Sequence, residues 1–416
     1  MGKIVVITGI GVVSPNSIGK DDFNQALKEG RPGIRKITLF DTSGLRCKTA
    51  GEITDFKPEA FLGKKGLRTL NRSTRLALAA AGLALDDGGI KSPVDKDAAY
   101  DYGVSLGTAT GSMKSIMDFD RDILLEGPNF TNPALFPNTV MNVAASYASI
   151  RFNIKGFNST IASSLCSGAD AIFYAVSMIK NYNYKVAIAG GVDELCLETF
   201  MGFYKTGFLS GSRPNTEEFL SAPYDKRRNG AIYGEGACIL LLEDLEHAIK
   251  RNARIYARID GYGNSFDPRS GRMCNLRADG AALAINKALS DSDTGIDKID
   301  CIYGSANSTP DGDAMEANAI NRVFKDKAKS IYVTSVKSML GETFSAGAVF
   351  SIAACVLGMS EGFIPPTINY SLPDRRCSLN IVKDKAMEAR VDKALVNSFS
   401  GTGSNSTLLI SRFYEG

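Results

Sequence analysis

Histidine is almost absent from this sequence: His247 is the only one among 416 residues, and tryptophan is missing altogether. The eight cysteines are scattered without a CxxC pair and without companion histidines, which argues against a zinc site. No apolar run reaches the roughly 18 residues of a membrane span, and a net charge of +3 gives no basis for nucleic-acid binding. We therefore expect a cytoplasmic protein with no bound metal, no membrane span and no nucleic-acid partner.

What the sequence does contain is a regular alternation of strand and helix patterns, which predicts an α/β protein. "KIVVITGIG" and "KVAIAGGVDE" are short apolar runs closed by glycines, typical of buried strands. "RSTRLALAAAGLAL" and "AVFSIAACVLGMSEG" have helical composition, and "ALVNSFSGTGSNSTLLISRF" predicts a closing β-hairpin. The pattern starts again near residue 255 without a low-complexity linker. We therefore expect two halves, 1–255 and 256–416, fused through one core.

The stretch "SSLCSGADAI" places Cys166 at the predicted junction of a strand and a helix. The apolar residues that follow recur at helical spacing on one face: Ala169, Ile172, Phe173, Val176 and Ile179. The helix should therefore start close to Ser167 and Gly168, where its dipole and free N–H groups would lower the pKa of the thiol. On these residues alone, a nucleophile and a structural cysteine packed under a helix cap are both open.

Several strings, taken in order, resemble the β-ketoacyl-acyl-carrier-protein synthases of the elongating type over essentially the whole chain. They are "VVITGIGVVSP", "FDTSGLRCKTAGEI", "SSLCSGADAI", "PYDKRRNGAIYGEGA", "VKSMLGE", "IPPTINY" and "VNSFSGTGSN". The resemblance implies the thiolase fold, a five-layered αβαβα sandwich of two similar halves, usually as a homodimer. It also implies that Cys166 accepts the acyl chain. Substrates would arrive on the phosphopantetheine of an acyl carrier protein, and no cofactor would be bound.

The sequence departs from this family at both of its active-site histidines. Ser305 in "SANSTPDGD" stands at the first histidine position and Glu342 in "KSMLGE" at the second, while Lys337 is kept. His247 lies in "LEDLEHAIKRN", whose charges predict a solvent-exposed helix remote from the chemistry. Ser305 can donate a hydrogen bond. Glu342 can donate if burial keeps it protonated, or act as a general base if Lys337 keeps it ionised.

Loss of the two histidines affects the steps of the expected reaction unequally. An unperturbed thiol with a pKa of about 8.5 is still roughly 3% ionised at pH 7, so we expect acyl loading onto Cys166 to persist. In the family both histidines bind the malonyl thioester carbonyl. Removing one such donor typically costs on the order of 10²–10³ in rate. Decarboxylative condensation is therefore the step at risk.

A third departure lies in "NSFSGTGSN", where the family pattern is N-S-F-G-F-G-G-T-N. Phe399, Ser400 and Gly401 form the expected gate loop, but Gly401 replaces the second phenylalanine, so the gate ring is missing. The resemblance also implies an oxyanion hole made by the backbone N–H groups of Cys166 and Gly401. An ordinary flexible hairpin turn is the alternative for this segment.

The stretch "GKKGLRTLNRSTR" is basic, and the family docks its acidic carrier proteins on basic surface near this segment. Lys64, Lys65 and Arg68 are the expected docking residues, and Arg72 and Arg75 add further charge. A solvated helix face explains these charges equally well.

Two hypotheses follow. The first is a divergent β-ketoacyl synthase homologue that takes an acyl chain onto Cys166 in fatty-acid or polyketide-like biosynthesis, with Ser305, Lys337 and Glu342 lining the second-substrate site. The second is a non-catalytic, chain-length-factor-like subunit that pairs with an intact ketosynthase. The first predicts a homodimer and the second a heterodimer.

Overall fold

The computed structural model describes residues 3–268 and 274–414. Helices and strands alternate along the chain, and in the described ranges no helix is both long and apolar enough to cross a membrane. The α-helices are α1 Lys20–Glu29, α2 Pro58–Leu62, α3 Arg72–Asp87, α4 Met113–Glu126, α5 Val143–Phe152, α6 Ser167–Tyr182, α7 Leu197–Lys205, α8 Leu245–Lys250, α9 Asp279–Asp291, α10 Pro310–Phe324, α11 Lys337–Leu340 and α12 Ser345–Glu361.

The strands are β1 Val5–Ser14, β2 Ser17–Ile18, β3 Arg35–Lys36, β4 Thr49–Ala50, β5 Tyr102–Gly107, β6 Asn158–Ile161, β7 Val186–Asp193, β8 Gly236–Asp244, β9 Ala257–Phe266, β10 Cys301–Tyr303, β11 Tyr332–Thr334, β12 Phe363–Ile364, β13 Asn380–Ile381, β14 Met387–Glu388, β15 Lys393–Phe399 and β16 Ser404–Arg412. Most of them belong to one hydrogen-bonded path in the order β13-β11-β10-β15-β16-β9-β1-β8-β7-β5-β6, with β2 beside β1.

The two ends of this path repeat the same pairing pattern. In the first, β1 pairs antiparallel with β8, β8 antiparallel with β7, and β5 lies parallel between β7 and β6. In the second, β9 pairs antiparallel with β16, β16 antiparallel with β15, and β10 lies parallel between β15 and β11. Three residue pairs between β1 and β9 join them. The predictions of two similar halves and of a closing hairpin, β15–β16, are confirmed.

Helices cover the outer faces of both halves and fill the space between them. α3 packs on β1 and β8, and α9 packs on β9 and β16. α6 packs on β5 and β7, while α12 contacts β7 and β8 of the first half and β15 and β16 of the second. The residues Ser345–Met359 of α12 are all buried, as expected of a helix whose side chains are apolar or small on every side. The resulting order is helix, sheet, helix, sheet, helix.

The start of α6 is wedged between β5 and α12. After β6 a 3₁₀ turn covers Ser164–Cys166, and α6 begins at Ser167. Ser164 adopts a φ of 60°, which is uncommon for a residue other than glycine. A Cβ atom on Gly168 would lie 2.0 Å from the carbonyl oxygen of Ser345, so glycine is required for this close approach. The predicted helix start at Ser167 and Gly168 is confirmed.

Candidate functional site

The side chain of Cys166 is fully buried and turns towards the closing hairpin. Its Sγ lies 3.0 Å from the carbonyl oxygen of Ser398 on β15 and 3.3 Å from that of Ser404 on β16. Burial first, and then the charge of Asp170, raise the pKa of this thiol to about 12. The prediction that the helix start lowers the thiol pKa was wrong, because the loss of solvation outweighs the favourable end of the helix.

A cavity of about 110 Å³ opens beside this turn, and the residue of the turn that lines it is Leu165. Cys166 is not among the described residues of its wall. Leu165 also belongs to a buried apolar cluster with Leu195, Phe200 and Phe344. The turn before α6 therefore presents an isobutyl group to the cavity, while the thiol one residue later lies behind it.

Ser305 lies in the cavity wall, but its hydroxyl already has partners. The Oγ accepts a hydrogen bond from the backbone N–H of Phe399 at 2.8 Å and lies 3.2 Å from the carbonyl oxygen of the same residue. The backbone N–H of Ser305 donates to Glu316 Oε1 at 2.8 Å. The hydroxyl thus connects the segment after β10 to the end of β15.

Glu342 and Lys337 form a buried ion pair behind the cavity. Lys337 Nζ lies 2.8 Å from Glu342 Oε2 and 3.0 Å from the carbonyl oxygen of Ser305. Asn307 Nδ2 donates to the same Glu342 Oε2 at 2.7 Å, and the backbone N–H of Phe344 donates to Oε1 at 2.8 Å. Each of these three contacts to the carboxylate comes from a donor, so Glu342 acts as an acceptor in this structure.

The predicted gate loop is the turn of the closing hairpin. Phe399 and Ser400 are buried, while Gly401 is exposed and lines the cavity with Phe399. Ser400 Oγ donates to Ser164 Oγ at 3.1 Å, which ties the loop to the turn before α6. The backbone N–H of Cys166 donates to the carbonyl oxygen of Ser163 at 3.2 Å. The oxyanion hole of Cys166 and Gly401 stays a prediction.

His247 is half-buried on α8, so the prediction of solvent exposure was wrong. Its Nδ1 lies 2.5 Å from Glu243 Oε1, and Arg251 Nε lies 2.6 Å from the same oxygen. One of the flanking charged residues on which the prediction of solvent exposure was based, Glu243, is the hydrogen-bond partner that holds the His247 ring against β8. The ring therefore has a structural role there, capping a buried carboxylate together with an arginine.

The basic stretch divides into two groups. Lys64, Lys65 and Arg68 are exposed. Arg72 instead places Nη2 2.5 Å from Glu235 Oε1, and Arg75 Nη2 donates to the carbonyl oxygen of a neighbouring turn residue at 2.7 Å. Only the first three therefore present their charge at the surface, and their role in docking stays a prediction.

Sequence reasoning missed two residues of the site and one that supports its elements. Leu165 stands in the string "SSLCSGADAI" without a signal of its own. Asn307 lies in "SANSTPDGD" and reaches Glu342. Asp193 ends β7, and its buried carboxylate accepts hydrogen bonds from the loop after β5 and from Ser345 at the start of α12. The two acidic residues that close the apolar run "KVAIAGGVDE" were the available signal for Asp193.

Within residues 3–268 and 274–414, no group of three or more histidine, cysteine, aspartate or glutamate residues is arranged to hold a metal ion. The hydroxyl of Ser305 and the carboxylate of Glu342 are instead occupied by neighbouring groups: Ser305 by the backbone of Phe399, and Glu342 by Lys337 and Asn307. These two groups can bind polar parts of a substrate only after exchanging partners.

Comparison with known proteins gives the family. Residues 3–248 match the family model "Beta-ketoacyl synthase, N-terminal domain", and residues 256–371 match "Beta-ketoacyl synthase, C-terminal domain". The chain is 34% identical over 411 residues to 3-oxoacyl-[acyl-carrier-protein] synthase 2 of Coxiella burnetii, covering 99% of each protein.

Two solved structures resemble the whole chain. The ishigamide ketosynthase/chain length factor superposes with a TM-score of 0.91 at 31% identity, covering 100% of both chains. A type II PKS ketosynthase, solved in complex with its acyl-carrier protein, superposes with a TM-score of 0.90 at 24% identity, covering 100% of both chains, which speaks for the fold alone. The predicted thiolase fold is confirmed, and this chain belongs to the β-ketoacyl synthase family.

Proposed function

We propose that this chain is the non-catalytic, chain-length-factor-like member of a ketosynthase pair. The observation that carries the proposal is the placement of Leu165 in the cavity wall, with the thiol of Cys166 turned to the carbonyl oxygens of Ser398 and Ser404. An acyl thioester that enters this cavity meets a leucine side chain. The thiol needed for acyl transfer belongs to the next residue, Cys166, which is not among the described residues of the cavity wall.

The ionisation of Cys166 supports the same conclusion. With a pKa of about 12, on the order of 10⁻⁵ of the thiol is ionised at pH 7. This is lower by on the order of 10³ than the roughly 3% of thiolate expected of an unperturbed cysteine. Because the thiolate is the attacking species, loading onto Cys166 would be slow even if the side chain reached the cavity.

The groups that replace the two family histidines also favour a site without condensation chemistry. Ser305 uses its hydroxyl on the backbone of Phe399. Glu342 is an acceptor held by Lys337 and Asn307, so it offers no hydrogen bond to an enolate. Charge developing on a thioester oxygen would face a carboxylate, which opposes the stabilisation that such a step requires.

The partner in this proposal is an intact ketosynthase, and α4 with the segment after it supplies the contact surface. None of the α4 residues is buried. Exposed apolar side chains run through this region: Met117, Leu124, Leu125, Phe130, Phe136, Val140 and Met141. A run of this kind is typical of a protein–protein interface. One similar structure is the ishigamide ketosynthase/chain length factor, which supports a heterodimer.

The pair would act on acyl chains carried by phosphopantetheine in fatty-acid or polyketide-like biosynthesis. The exposed charges of Lys64, Lys65 and Arg68 would receive the acidic carrier protein. A pair of this kind needs no cofactor on this chain, because the substrate arrives already activated as a thioester.

A second candidate is the divergent synthase that accepts an acyl chain on Cys166. It is favoured by the position of Cys166 at the start of α6 and by the 34% identity to a curated 3-oxoacyl-[acyl-carrier-protein] synthase 2. In this candidate Ser305, Lys337 and Glu342 line the second-substrate site. This candidate requires two movements: the Cys166 thiol must turn away from the carbonyl oxygens of Ser398 and Ser404, and the Leu165 side chain must move out of the cavity wall.

Intact-protein mass after incubation with a panel of acyl-carrier proteins separates the two candidates. We expect no acyl adduct on the full-length chain, whether alone or with an intact ketosynthase that forms its own adduct. The matched controls are Cys166→Ser and Cys274→Ser, because Cys274 is the cysteine that lines the cavity in the described part of the chain. An adduct on the parent chain that Cys166→Ser removes and Cys274→Ser keeps would contradict the proposal and favour the synthase.

A further inference from the structure

A carboxylate of the chain itself sits where several buried donors converge. Lys337, Glu342 and Asn307 are 3%, 1% and 6% exposed. Glu342 Oε2 receives Lys337 Nζ at 2.8 Å and Asn307 Nδ2 at 2.7 Å, and Oε1 receives the backbone N–H of Phe344 at 2.8 Å. An ammonium, an amide and a backbone N–H around two oxygens are the donor set that binds a small carboxylate.

This donor set borders the cavity. Asn307 and Ser305 line the cavity wall, and Lys337 Nζ donates to the carbonyl oxygen of Ser305 at 3.0 Å. A ligand in the cavity would therefore lie next to the donors, separated from the ammonium by the Glu342 carboxylate and by the segment that holds Ser305.

We propose that Glu342 is the internal occupant of an anion site built from Lys337, Asn307 and the Phe344 N–H. The site's ligand class is small carboxylates, including the free carboxyl of a malonyl-type thioester. While Glu342 fills it, an external carboxylate finds the ammonium neutralised and a like charge in its place. Glu342 thereby determines specificity, because it excludes carboxylated substrates and leaves uncharged acyl chains unaffected.

Packing around the pair leaves no room for a second anion. A Cβ atom on Gly347 of α12 would lie 3.1 Å from Lys337 Cε and 3.3 Å from Glu342 Oε1. Even a methyl group on this side would thus be tight against both members of the pair. The space for an external carboxylate arises only when the side chain of Glu342 is shortened.

The inference holds whether or not the chain is catalytic, and its test needs neither partner nor turnover. Binding of sodium formate to the full-length Glu342→Ala variant is measured by calorimetry and by thermal unfolding, with sodium chloride at equal ionic strength as reference. At a formate concentration ten times Kd, the folding equilibrium should shift about 11-fold towards the folded state. The parent chain should show no such shift.

A matched variant decides what causes any shift. The double variant Lys337→Met with Glu342→Ala keeps the space but loses the ammonium, and it should not bind formate. Binding by the double variant as tight as by Glu342→Ala would overturn the proposal.

If Glu342→Ala does not fold in chloride, refolding from denaturant gives the answer. The yield of folded protein should be higher in formate than in chloride at the same ionic strength, because formate restores the charge partner of Lys337. Equal yields in the two salts would overturn the proposal, as would formate binding to the parent chain in the same range as to the variant.

Discussion

The two walls of the cavity differ in kind. The wall from the first half is mainly apolar: Leu165 and Phe208 line it beside one charged residue, Arg213, and Leu165 packs in a cluster with Phe200 and Phe344. The wall from the second half carries the polar groups, with Ser305 in contact with Phe399 and, behind it, Lys337 paired with Glu342. These polar groups satisfy one another. A site that reacts must keep groups free for a substrate, and we infer that this one has lost that freedom while keeping the fold that positions it.

The largest effect is expected on breaking the charge pair of the polar wall. Removing one member of a buried ion pair typically costs about 3–5 kcal/mol of the free energy of unfolding, because the other charge stays buried without a partner. Lys337→Ala should show this loss in urea unfolding, since the pair is 4% and 0% exposed in its side chains. The double variant Lys337→Met with Glu342→Leu should lose much less. Equal losses would show that the pair does not act as a unit.

Glu194 in the first half is a buried carboxyl without a lysine partner among the described residues, in contrast to Glu342 in the second half. Glu194 accepts the backbone N–H of Ser73 at 3.0 Å, and burial raises its pKa from 4.5 to about 7. The folded chain therefore holds this proton more tightly than the unfolded chain. The contribution of Glu194 to stability is full below the unfolded pKa of 4.5 and is lost as pH rises towards the folded value of about 7. The difference is about 3 kcal/mol.

Glu194→Gln should flatten that part of the curve of the free energy of unfolding against pH. Burial also raises the pKa of Asp313 to about 7. The variant should therefore remove only the part of the pH dependence that Glu194 causes, and the part from Asp313 should remain. The measurement is urea unfolding at pH values across the range from 4.5 to about 7. An unchanged slope in the variant would contradict a raised pKa for Glu194.

The apolar wall should respond more to its leucine than to its thiol. Leu165→Ala should lower the free energy of unfolding by about 2 kcal/mol, the low end for a buried leucine, because one side of it faces the cavity. Cys166→Ala removes one sulfur atom and should cost about 1 kcal/mol. Chemical unfolding of both variants checks the order. A larger loss for Cys166→Ala would mean that the thiol contributes more to this wall than its neighbour.

The smallest effect on stability is expected at the exposed apolar surface around α4. Leu124 and Phe136 are 83% and 56% exposed, so replacement of either by aspartate should change the free energy of unfolding by at most about 0.5 kcal/mol. Association with a partner chain should weaken at least about tenfold, because apolar anchors dominate interface energies. Analytical ultracentrifugation measures this, with Ile249→Asp on α8 as a control that is about as exposed as Phe136. Equal effects of all three would remove this surface from the interface.

Much of the fold was predictable because it follows from local patterns. The apolar strands, the helix after Gly168 and the closing hairpin each have a periodicity or turn signal that survives folding. Family strings gave the overall architecture. The features that the sequence did not predict depend on the direction in which side chains point and on contacts between residues distant in sequence. A one-residue difference decides whether a thiol or a leucine faces the cavity, and periodicity cannot resolve it inside a tight turn with Ser164 at a φ of 60°.

The burial and charged neighbours of Cys166 and His247 could not be predicted from the sequence either. The start of a helix predicts a low pKa for Cys166, but burial and then the charge of Asp170 raise it, and part of that burial comes from the hairpin around Ser398 and Ser404, far along the chain. The partner of His247 is near in sequence, four residues earlier, but the local pattern does not show that Glu243 is buried on β8. The domain boundary at residue 255 stays a prediction.

The most direct test of the central claim is to place a thiol at the position that faces the cavity. The variant Leu165→Cys, combined with Cys166→Ser, is incubated with an acyl-pantetheine thioester, and modified peptides are identified by mass. We expect an adduct at position 165 in this variant and none at Cys166 in the parent chain. Modification of Cys166 in the parent, with position 165 of the variant unmodified, would show that Cys166 is the residue that meets the substrate and would contradict the account.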